Sequence, residues 1–343
     1  MDNYNFNVDQ LNRPLQDLRI SVIDRCNMRC TYCMPEDIYG DNYKFLKSSE
    51  WLTFEEIVRL AGIFVSLGVK KIRITGGEPL LRPGLHELIR MLSAIEGVED
   101  LALTTNGLWL NEQALDLRKA GLKRLTVSLD SLNKEVFSMM SGRRGNVRRV
   151  LDGIRAAQEV GFSPIKINTV VQRGVNDHLL VDMIKHFKGP DYILRFIEFM
   201  DVGNRNQWDI NKVVPAKEIV EVIEKNFSIE PIQANYSGEV AQRYRFKDEE
   251  GEFGLIASVT QPFCGSCSRL RLSTDGKIYT CLFAAKGADL RSLLRDGASD
   301  LELSNFVKTI WKFRNDQYSE QRVKIRKNSL VSDNKVEMFY IGG

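Results

Sequence analysis

Cys26-Asn27-Met28-Arg29-Cys30-Thr31-Tyr32-Cys33 places three thiols close together, directly after the apolar stretch 18–23. The apolar stretch predicts a strand, so the thiols lie on the loop that leaves it. Three thiolates at this spacing can hold three corners of a cubic iron–sulfur cluster. A structural zinc site would need a fourth Cys or His, and the nearest histidine downstream is His86. The motif favours a cluster with one open iron; a zinc knuckle or free thiols are the alternative.

Composition sets the broad class of the protein. With 343 residues, 43% hydrophobic and 27% charged, the chain can form a barrel-sized domain and a smaller one. A net charge of +3 from 48 basic and 45 acidic residues does not indicate a nucleic-acid partner. The sequence contains no signal core and no apolar run that could span a bilayer, so we expect a cytoplasmic protein without a membrane partner. Six cysteines in two tight sets favour metal over disulfides.

Short β-rich segments alternate with helical ones up to about residue 230. The predicted strands are 18–24, 70–75, 101–106, 124–130, 164–171 and 192–200. The predicted helices are 54–67, 85–95, 111–120, 146–160, 177–187 and 215–226. Six β–α units imply a parallel sheet, either open and doubly wound or part of a barrel. Because the alternation stops there, we expect one domain over 1–230 and a second over 231–343.

The loops at the carboxyl ends of the predicted strands carry the reactive residue types. The Cys loop follows the first strand, Gly76-Gly77-Glu78-Pro79 follows the second, and 104–107 and 128–130 end the third and fourth. In either architecture these ends converge on one face. Two residues without Cβ let a backbone approach a ligand closely, although a plain tight turn is the alternative.

Cys264, Cys267 and Cys281 form a second set that again has no fourth ligand nearby, since all three histidines precede residue 187. Two incomplete three-thiolate sites predict two clusters, each with a vacant iron, that hold two molecules across one cavity. Arg269 and Arg271 would share one face of a strand. Guanidinium groups at that spacing suit a polyphosphate, and a solvated pair is the alternative.

Four cations interrupt the apolar pattern of the predicted strands: Arg19, Arg73, Lys166 and Arg195. A charge in such a position is costly unless it is paired or meets a ligand. Several of them pointing into one cavity predict a strongly anionic substrate. The carboxylates that could instead pair with them are Glu78, Asp130 and Glu198.

The first Cys motif, with Tyr32 before its last thiol and Gly76-Gly77-Glu78-Pro79 after it, resembles the radical S-adenosylmethionine superfamily. The second Cys set, the Arg269-Leu270-Arg271 context, the stretch 195–203 and the terminal Gly342-Gly343 are similar to those of the GTP 3′,8-cyclase family of molybdenum cofactor biosynthesis. The resemblance covers nearly the whole chain. It implies an α/β fold, a partial (β/α)6 TIM-like barrel whose mouth is closed by a smaller α+β C-terminal domain.

The resemblance also implies roles for individual residues. Two 4Fe–4S clusters would be held by the two Cys sets, and the first would bind S-adenosylmethionine while the second anchors guanine. A 5′-deoxyadenosyl radical would abstract the ribose 3′ hydrogen of GTP, and the carbon radical would attack carbon 8. The residues in contact with S-adenosylmethionine would be Tyr32, Gly77, Ser128 and Met200. GTP would be bound by Arg19, Arg73, Thr104, Lys166, Arg269, Leu270 and Arg271. The catalytic candidates are Arg19, Arg73, Arg195, Arg269 and Arg271.

Further expectations from the resemblance concern partners. They are a one-electron reductant and a downstream cyclic pyranopterin monophosphate synthase, and a homodimer is left open. The terminal Gly342-Gly343 would otherwise be a frayed end, and we hypothesise that it reaches the active site. Two alternatives remain at this point: a radical S-adenosylmethionine enzyme that modifies a peptide, and a zinc-stabilised binding protein.

Overall fold

The computed structural model describes residues 7–236, 238–248, 250–327 and 335–343. Six parallel strands follow one another both in the chain and in space: β1 (Asp17–Ser21), β2 (Lys71–Thr75), β3 (Asp100–Thr105), β4 (Arg124–Ser128), β5 (Ile165–Val171) and β6 (Tyr192–Glu198). A doubly wound sheet reverses its strand order at a switch point. The order from β1 to β6 does not reverse, so the structure selects part of a barrel.

Helices connect these strands on one side of the sheet. They are α1 (Phe54–Ser66), α2 (Leu85–Ser93), α3 (Leu110–Lys119), α4 (Lys134–Met140), α5 (Val147–Glu159), α6 (Leu180–Phe187) and α7 (Ala216–Glu224). Thr53 and Glu56 form the expected capping box of α1. The helix α4 was not predicted, because only Phe137 and Met140 among its residues are buried and a single pair gives little periodicity.

The C-terminal residues extend the same sheet at both edges. The further strands are β7 (Ile229–Ile232), β8 (Gln242–Phe246), β9 (Glu252–Ile256), β10 (Arg269–Leu272), β11 (Lys277–Tyr279) and β12 (Ala288–Asp289). The further helices are α8 (Arg291–Arg295), α9 (Asp300–Lys312), α10 (Tyr318–Lys327) and α11 (Met338–Ile341). Strand β10 pairs in parallel with β1, and β9 pairs in parallel with β6. The predicted domain boundary at 230 falls inside β7.

Alternation along the strands separates the core from the inner face of the sheet. In β1, Leu18 and Ile20 are fully buried in the main hydrophobic core, whereas Arg19 lines a cavity on the other face. This is the period-two pattern of a strand that lies between helices and a cavity. No helix in the described part of the chain has the length and apolar character needed to cross a membrane.

Four of the six strands end earlier than predicted. Strand β1 stops at Ser21 rather than residue 24, β3 at Thr105 rather than 106, β4 at Ser128 rather than 130, and β6 at Glu198 rather than 200. The carboxylate of Glu198 accepts hydrogen bonds from the backbone N–H groups of Ala216 and Val259, at 2.8 and 2.7 Å. At the end of β6 these bonds take the place of further strand pairing. They also link β6 to Val259 in the C-terminal part of the chain.

Candidate active site

All six cysteines line a single cavity on the inner face of the sheet. Its volume is about 2370 Å³, including the part open to solvent. Each of the six is a free thiol. The fold therefore brings into one chamber two Cys sets that are far apart in the sequence.

Strand register places the two Cys sets at opposite ends of the barrel. Cys26 follows β1 and so lies at the carboxyl ends of the parallel strands. Cys267 precedes β10, whose first residue, Arg269, lies opposite Asp17 at the start of β1. Because β1 and β10 run in parallel, Cys267 lies beyond the amino ends of the strands.

Arg29 holds the first Cys loop in shape. Its Nε donates to the carbonyl oxygen of Tyr39 at 2.5 Å, and its Nη1 donates to that of Cys26 at 2.7 Å. Burial raises the pKa of the Cys26 thiol to about 12 and also raises the pKa values of Cys30 and Cys33. A buried thiol becomes a thiolate only beside a compensating cation. Iron would supply that cation, so the donor set fits a cluster.

The second Cys set lies in a more cationic environment. The Nε of Arg269 is 3.3 Å from the Cys267 sulfur. Burial acts to raise the pKa of Cys267, but Arg269 and Arg314 outweigh it and lower the pKa to about 6. Burial raises the pKa of Cys281 to about 11. The thiols and adjacent guanidinium groups together fit an anionic iron–sulfur cluster.

The ligand geometry for a single metal ion is a separate question. Within the described ranges, no three His, Cys, Asp or Glu side chains are grouped so that they could hold one ion. A cubane attaches its thiolates to different iron atoms, so its ligands stand farther apart than those of one zinc ion. Thiols that are too far apart to bind one metal ion can therefore still hold a cubane cluster.

Gly76 and Gly77 pack against the chain that leads into the first Cys loop. A Cβ on Gly77 would lie 2.2 Å from the carbonyl oxygen of Arg25, and one on Gly76 would lie 2.5 Å from that of Ile23. Gly76 also has a φ of +152°, which favours glycine. The pair is thus required by close backbone contact, and Gly77 also lines the cavity.

Glu78 ties together the ends of β2 and β3. Its carboxylate accepts from the Thr105 hydroxyl and from the Asn106 backbone N–H, both at 2.7 Å. Burial raises its pKa to about 7. Asp130 accepts from the Tyr32 hydroxyl at 2.7 Å, and burial raises its pKa to about 6.

The carboxylates considered as partners for the strand cations are thus engaged elsewhere. The oxygens of Glu78, Asp130 and Glu198 accept from hydroxyl and backbone N–H groups in the described part of the chain. The hypothesis that they pair with the strand cations was therefore wrong, since their oxygens are satisfied by the turns at the strand ends.

The predicted cations converge on the cavity. Its lining includes Arg19, Arg73, Lys166, Arg195, Arg269 and Arg271. Burial, with repulsion from nearby arginines, lowers the pKa of Lys166 to about 7, that of Arg195 to about 9 and that of Arg271 to about 10. Mutually repelling buried cations favour a ligand with several negative charges.

Threonines fix the cations of the middle strands. Arg73 donates from Nη1 to the hydroxyls of Thr104 and Thr126, each at 3.1 Å. Arg195 approaches the Thr126 hydroxyl at 3.4 Å. Thr104 therefore lies in the cavity as predicted, and its hydroxyl orients a guanidinium group there.

Comparison with known proteins decides the family. Residues 20–187 match the model of the radical SAM superfamily, and residues 192–320 match that of Molybdenum Cofactor Synthesis C. The GTP 3′,8-cyclase of Staphylococcus epidermidis is 50% identical over 339 residues, and that of Acidothermus cellulolyticus is 51% identical over 356 residues. Each alignment covers 98% of this chain and 98% of the relative. The chain belongs to the GTP 3′,8-cyclase family.

Solved structures confirm the fold expected for this cyclase family. Streptococcus suis SuiB bound to S-adenosylmethionine matches with a TM-score of 0.60 over 87% of this chain and 69% of SuiB. Its sequence identity is 14%, so the likeness shows the radical SAM fold alone. A SuiB structure is also known with a precursor peptide, but the relatives of about 50% identity favour the cyclase over the peptide-modifying alternative.

The residues predicted to contact S-adenosylmethionine in this cyclase-family chain lie at the carboxyl ends of β1, β2, β4 and β6 or in the loops that follow them. Tyr32, Gly77, Ser128 and Met200 all line the cavity. One residue predicted to bind GTP does not. Leu270 is fully buried in the hydrophobic core, because it alternates with Arg269 and Arg271 along β10. Its side chain therefore lies in the core and not in the cavity, and the binding of GTP by Leu270 stays a prediction.

The C-terminal tail of the cyclase-family chain reaches the carboxyl ends of the strands. Gly343 lines the cavity, and the carbonyl oxygen of Gly342 accepts from Nη1 of Arg271. Phe339 packs edge-on against Tyr39, with ring centroids 5.1 Å apart. The tail thus lies at the mouth, whereas the second Cys set lies at the opposite end.

Several cavity residues were missed by the sequence analysis. Lys71 and Arg124 line the amino end of the cavity. Lys71 is two residues before Arg73 in β2, so period-two alternation could have predicted that both side chains face the cavity. The Nζ of Lys71 lies 3.0 Å from the ring centroid of Tyr236. Asn106 donates to the Asn27 side chain at 2.7 Å. For Tyr236 the sequence offers no such signal, because it lies on a connection between β7 and β8.

Proposed function

We propose that this chain is a GTP 3′,8-cyclase, which converts GTP to (8S)-3′,8-cyclo-7,8-dihydroguanosine 5′-triphosphate, the first step of molybdenum cofactor biosynthesis. The identity of about 50% to named GTP 3′,8-cyclases over nearly the full length supports it. The structural observation that carries it is the chamber itself, in which a Cys set lies at each end and buried cations line the wall.

The carboxyl end of the chamber is the radical-generating end. Cys26, Cys30 and Cys33 would hold the first 4Fe–4S cluster. That cluster, when bound and reduced, supplies the electron that cleaves S-adenosylmethionine to methionine and a 5′-deoxyadenosyl radical. Tyr32, Gly77, Ser128 and Met200 would hold S-adenosylmethionine beside the Cys loop. A primary carbon radical reacts with many C–H bonds, so the chain's task is to hold a single target C–H within reach.

The cations hold the substrate in that position. A triphosphate accepts several charge-assisted hydrogen bonds from guanidinium groups. It would also relieve the repulsion among the buried cations. We assign this role to Arg19, Arg73, Lys166, Arg269 and Arg271, and we place Arg195 and Thr104 in the same wall. Cys264, Cys267 and Cys281 would hold the second cluster, which would supply an open iron to anchor guanine.

The Gly-Gly tail completes the site. Residues without Cβ can lie where the wall is crowded: a Cβ on Gly342 would stand 2.5 Å from Cγ2 of Thr75, and one on Gly343 would stand 2.7 Å from Cγ of Met338. We assign to the tail the placing of Arg271 against the substrate. The contact between Arg271 and the Gly342 carbonyl supports this assignment.

Two partners are expected. The first is a one-electron reductant that acts twice in each turnover: one electron cleaves S-adenosylmethionine, and a second electron, with a proton, reduces the radical that remains after C3′ has attacked carbon 8. The cyclised nucleotide must be rearranged by a second enzyme, for which a cyclic pyranopterin monophosphate synthase is the candidate. We propose both, and we leave a homodimer open.

Anaerobic reconstitution tests the function. The purified chain should bind about eight iron and eight sulfide. With dithionite and S-adenosylmethionine it should consume GTP, but not ATP, CTP or UTP, and yield the 3′,8-cyclised nucleotide with 5′-deoxyadenosine. The variant Cys30→Ser should abolish 5′-deoxyadenosine formation. Binding of zinc in place of iron, or turnover without GTP preference, would overturn the proposal.

A further inference from the structure

Three buried charged residues lie directly behind the second Cys set. The Nε of Arg13 donates to Oδ2 of Asp9 at 2.6 Å, and Nη1 of Arg314 donates to the same oxygen at 3.1 Å. The side chains of all three are at most 1% exposed. We call these three residues the Asp9 clamp. Burial of two guanidinium groups costs free energy, and a single carboxylate offsets only part of their charge.

The clamp bonds to each segment that carries a thiol of the second set. Nη1 of Arg13 donates to the carbonyl oxygen of Cys264 at 2.9 Å. Nη1 of Arg314 donates to that of Cys267 at 2.7 Å, and its Nε donates to that of Thr280 at 3.2 Å. Thr280 directly precedes Cys281. Cys264 and Cys267 share one turn, in which the Cys267 N–H donates to the Cys264 carbonyl oxygen at 3.1 Å. The Asp9 clamp thus connects this turn to the separate segment that carries Cys281.

The helix α9 and the segment after it fix the clamp from behind. Nε1 of the fully buried Trp311 donates to the carbonyl oxygen of Arg13 at 3.1 Å. The Arg314 guanidinium lies 4.5 Å from the centroid of the Trp311 ring. Nη1 of Arg13 donates to the Asp316 carbonyl at 2.8 Å. The carboxylate of Asp316, 31% exposed, lies 3.4 Å from Arg314 Nε.

The clamp also presents positive charge to the cavity. Arg13 and Arg314 both line it, together with the three cysteines of the second set. One nitrogen of Arg13, Nη2, is buried and has no hydrogen-bond partner among the described residues.

We infer that the Asp9 clamp is the positioning device of the second cluster. Arg13 and Arg314 hold the turn of Cys264 and Cys267 and the segment of Cys281 in place before metal enters, and their charge stabilises the reduced, more negative cluster. The inference rests on the proposed function only in assigning a cluster to Cys264, Cys267 and Cys281. The N-terminal segment that carries Asp9 and Arg13 is thereby part of the second metal site.

The test uses full-length chain in which the first Cys set is removed by Cys26→Ala, Cys30→Ala and Cys33→Ala. Iron content and an EPR-monitored redox titration then report on the second cluster alone. Arg13→Gln should load less iron, and the loaded fraction should have a more negative midpoint potential, because a positive charge has been lost. Arg13→Lys keeps the charge but not the planar fork, so it should load less iron with little change in potential.

A matched control is Arg59→Gln, which removes an exposed ion pair with Asp300 and should change neither value. Thermal midpoints of the metal-free chains identify variants that fail to fold. Loss of iron in an Arg13→Gln chain whose metal-free form still shows a cooperative thermal transition supports the clamp, even at a lowered midpoint, and loss confined to unfolded variants counts against it. Unchanged iron and potential in both Arg13→Gln and Arg314→Gln would refute the inference but not the cyclase. A parent without any cluster would instead refute the proposed function.

Discussion

Nη1 of Arg271 donates a hydrogen bond to the carbonyl oxygen of Gly342, across 71 positions of the chain. Arg271 lies on β10, next to Arg19 on β1. The contact therefore joins the end of the polypeptide to the cation row of the cavity wall. It makes the last two residues a part of the chamber rather than a loose terminus.

Gly342→Ala is expected to lower GTP cyclisation about tenfold, the effect of roughly 1–3 kcal/mol of backbone strain in the placement of the tail. Gly342 has a φ of +79°, and its added Cβ would approach Cγ2 of Thr75 to 2.5 Å. Iron content and cleavage of S-adenosylmethionine should be retained, so 5′-deoxyadenosine should form in about tenfold excess over cyclised product, relative to the parental ratio. Parallel chromatography of the two products measures this uncoupling.

Gly297→Ala is the matched control for the tail variant. Gly297 also has a positive φ, +88°, but a Cβ there meets no atom within 4 Å among those described. It should keep the parental ratio of the two products. Equal coupling in Gly342→Ala and in the parent would contradict the role of the tail.

Leu270 and Arg271 should separate stability from binding. Leu270→Ala leaves a cavity in the core and should lower the free energy of unfolding by about 2–5 kcal/mol, with the Kd for GTP unchanged. Arg271→Gln removes a buried cation that faces the cavity, so it should weaken GTP binding about tenfold or more with little loss of stability. Denaturant unfolding and calorimetry of GTP binding give the two quantities. Weaker GTP binding in Leu270→Ala would show that Leu270 contributes to the GTP site, although its side chain lies on the core face of β10.

The sequence was sufficient where local pattern decides the structure. Arg19 interrupts an apolar strand, so its place on the inner face followed from period-two alternation alone. The loop of Gly76 and Gly77 follows a strand, which was enough to place it at the mouth. The helix α1 followed from the capping box at Thr53.

The remaining features depend on which strands become neighbours. That Cys267 lies at the amino ends of the strands follows only from the pairing of β10 with β1. The same alternation that correctly placed Arg271 also excludes Leu270 from the cavity, but only once β10 is known to be a strand. Asp9 and Arg314 are single charges in unremarkable sequence, and only tertiary contact makes them partners.

Asp201 is expected to fasten the C-terminal helix α10 to the loop that carries Met200. Its buried carboxylate accepts from the Tyr318 hydroxyl at 2.6 Å and from Nε of Arg322 at 2.8 Å, and it lies 3.3 Å from Nζ of Lys335. Asp201→Asn removes the buried carboxylate charge that Arg322 and Lys335 both face, so it should cost about 3–5 kcal/mol. Asp300→Asn, which loses an exposed pair with Arg59, should cost at most about 1 kcal/mol.

The same variant has a predicted pH signature. Burial acts to raise the pKa of Asp201, but Arg322 and Lys335 outweigh it and hold the pKa below its ordinary value of 3.8. The stabilisation by Asp201 is therefore complete above that value and is lost as pH falls through the lowered pKa. The difference in Tm between parent and Asp201→Asn should be constant near neutral pH and should shrink below about pH 4. A difference that grows on acidification would contradict the ion cluster.

Lys166 should make stability and GTP affinity respond oppositely to pH. Burial, followed by Arg195 and Arg124, lowers its pKa to about 7 from an ordinary 10.5. Between these two values the unfolded chain binds more protons than the folded one, so the free energy of unfolding of the metal-free chain should rise with pH. GTP favours the charged form of Lys166, so its binding should take up a proton and weaken as pH rises above about 7. Lys166→Met should flatten both profiles relative to the parent, whereas Lys312→Met on the exposed face of α9 should leave both unchanged. If Tm and the Kd for GTP depended on pH in the same way in the parent and in Lys166→Met, Lys166 would not be a residue that interacts with GTP.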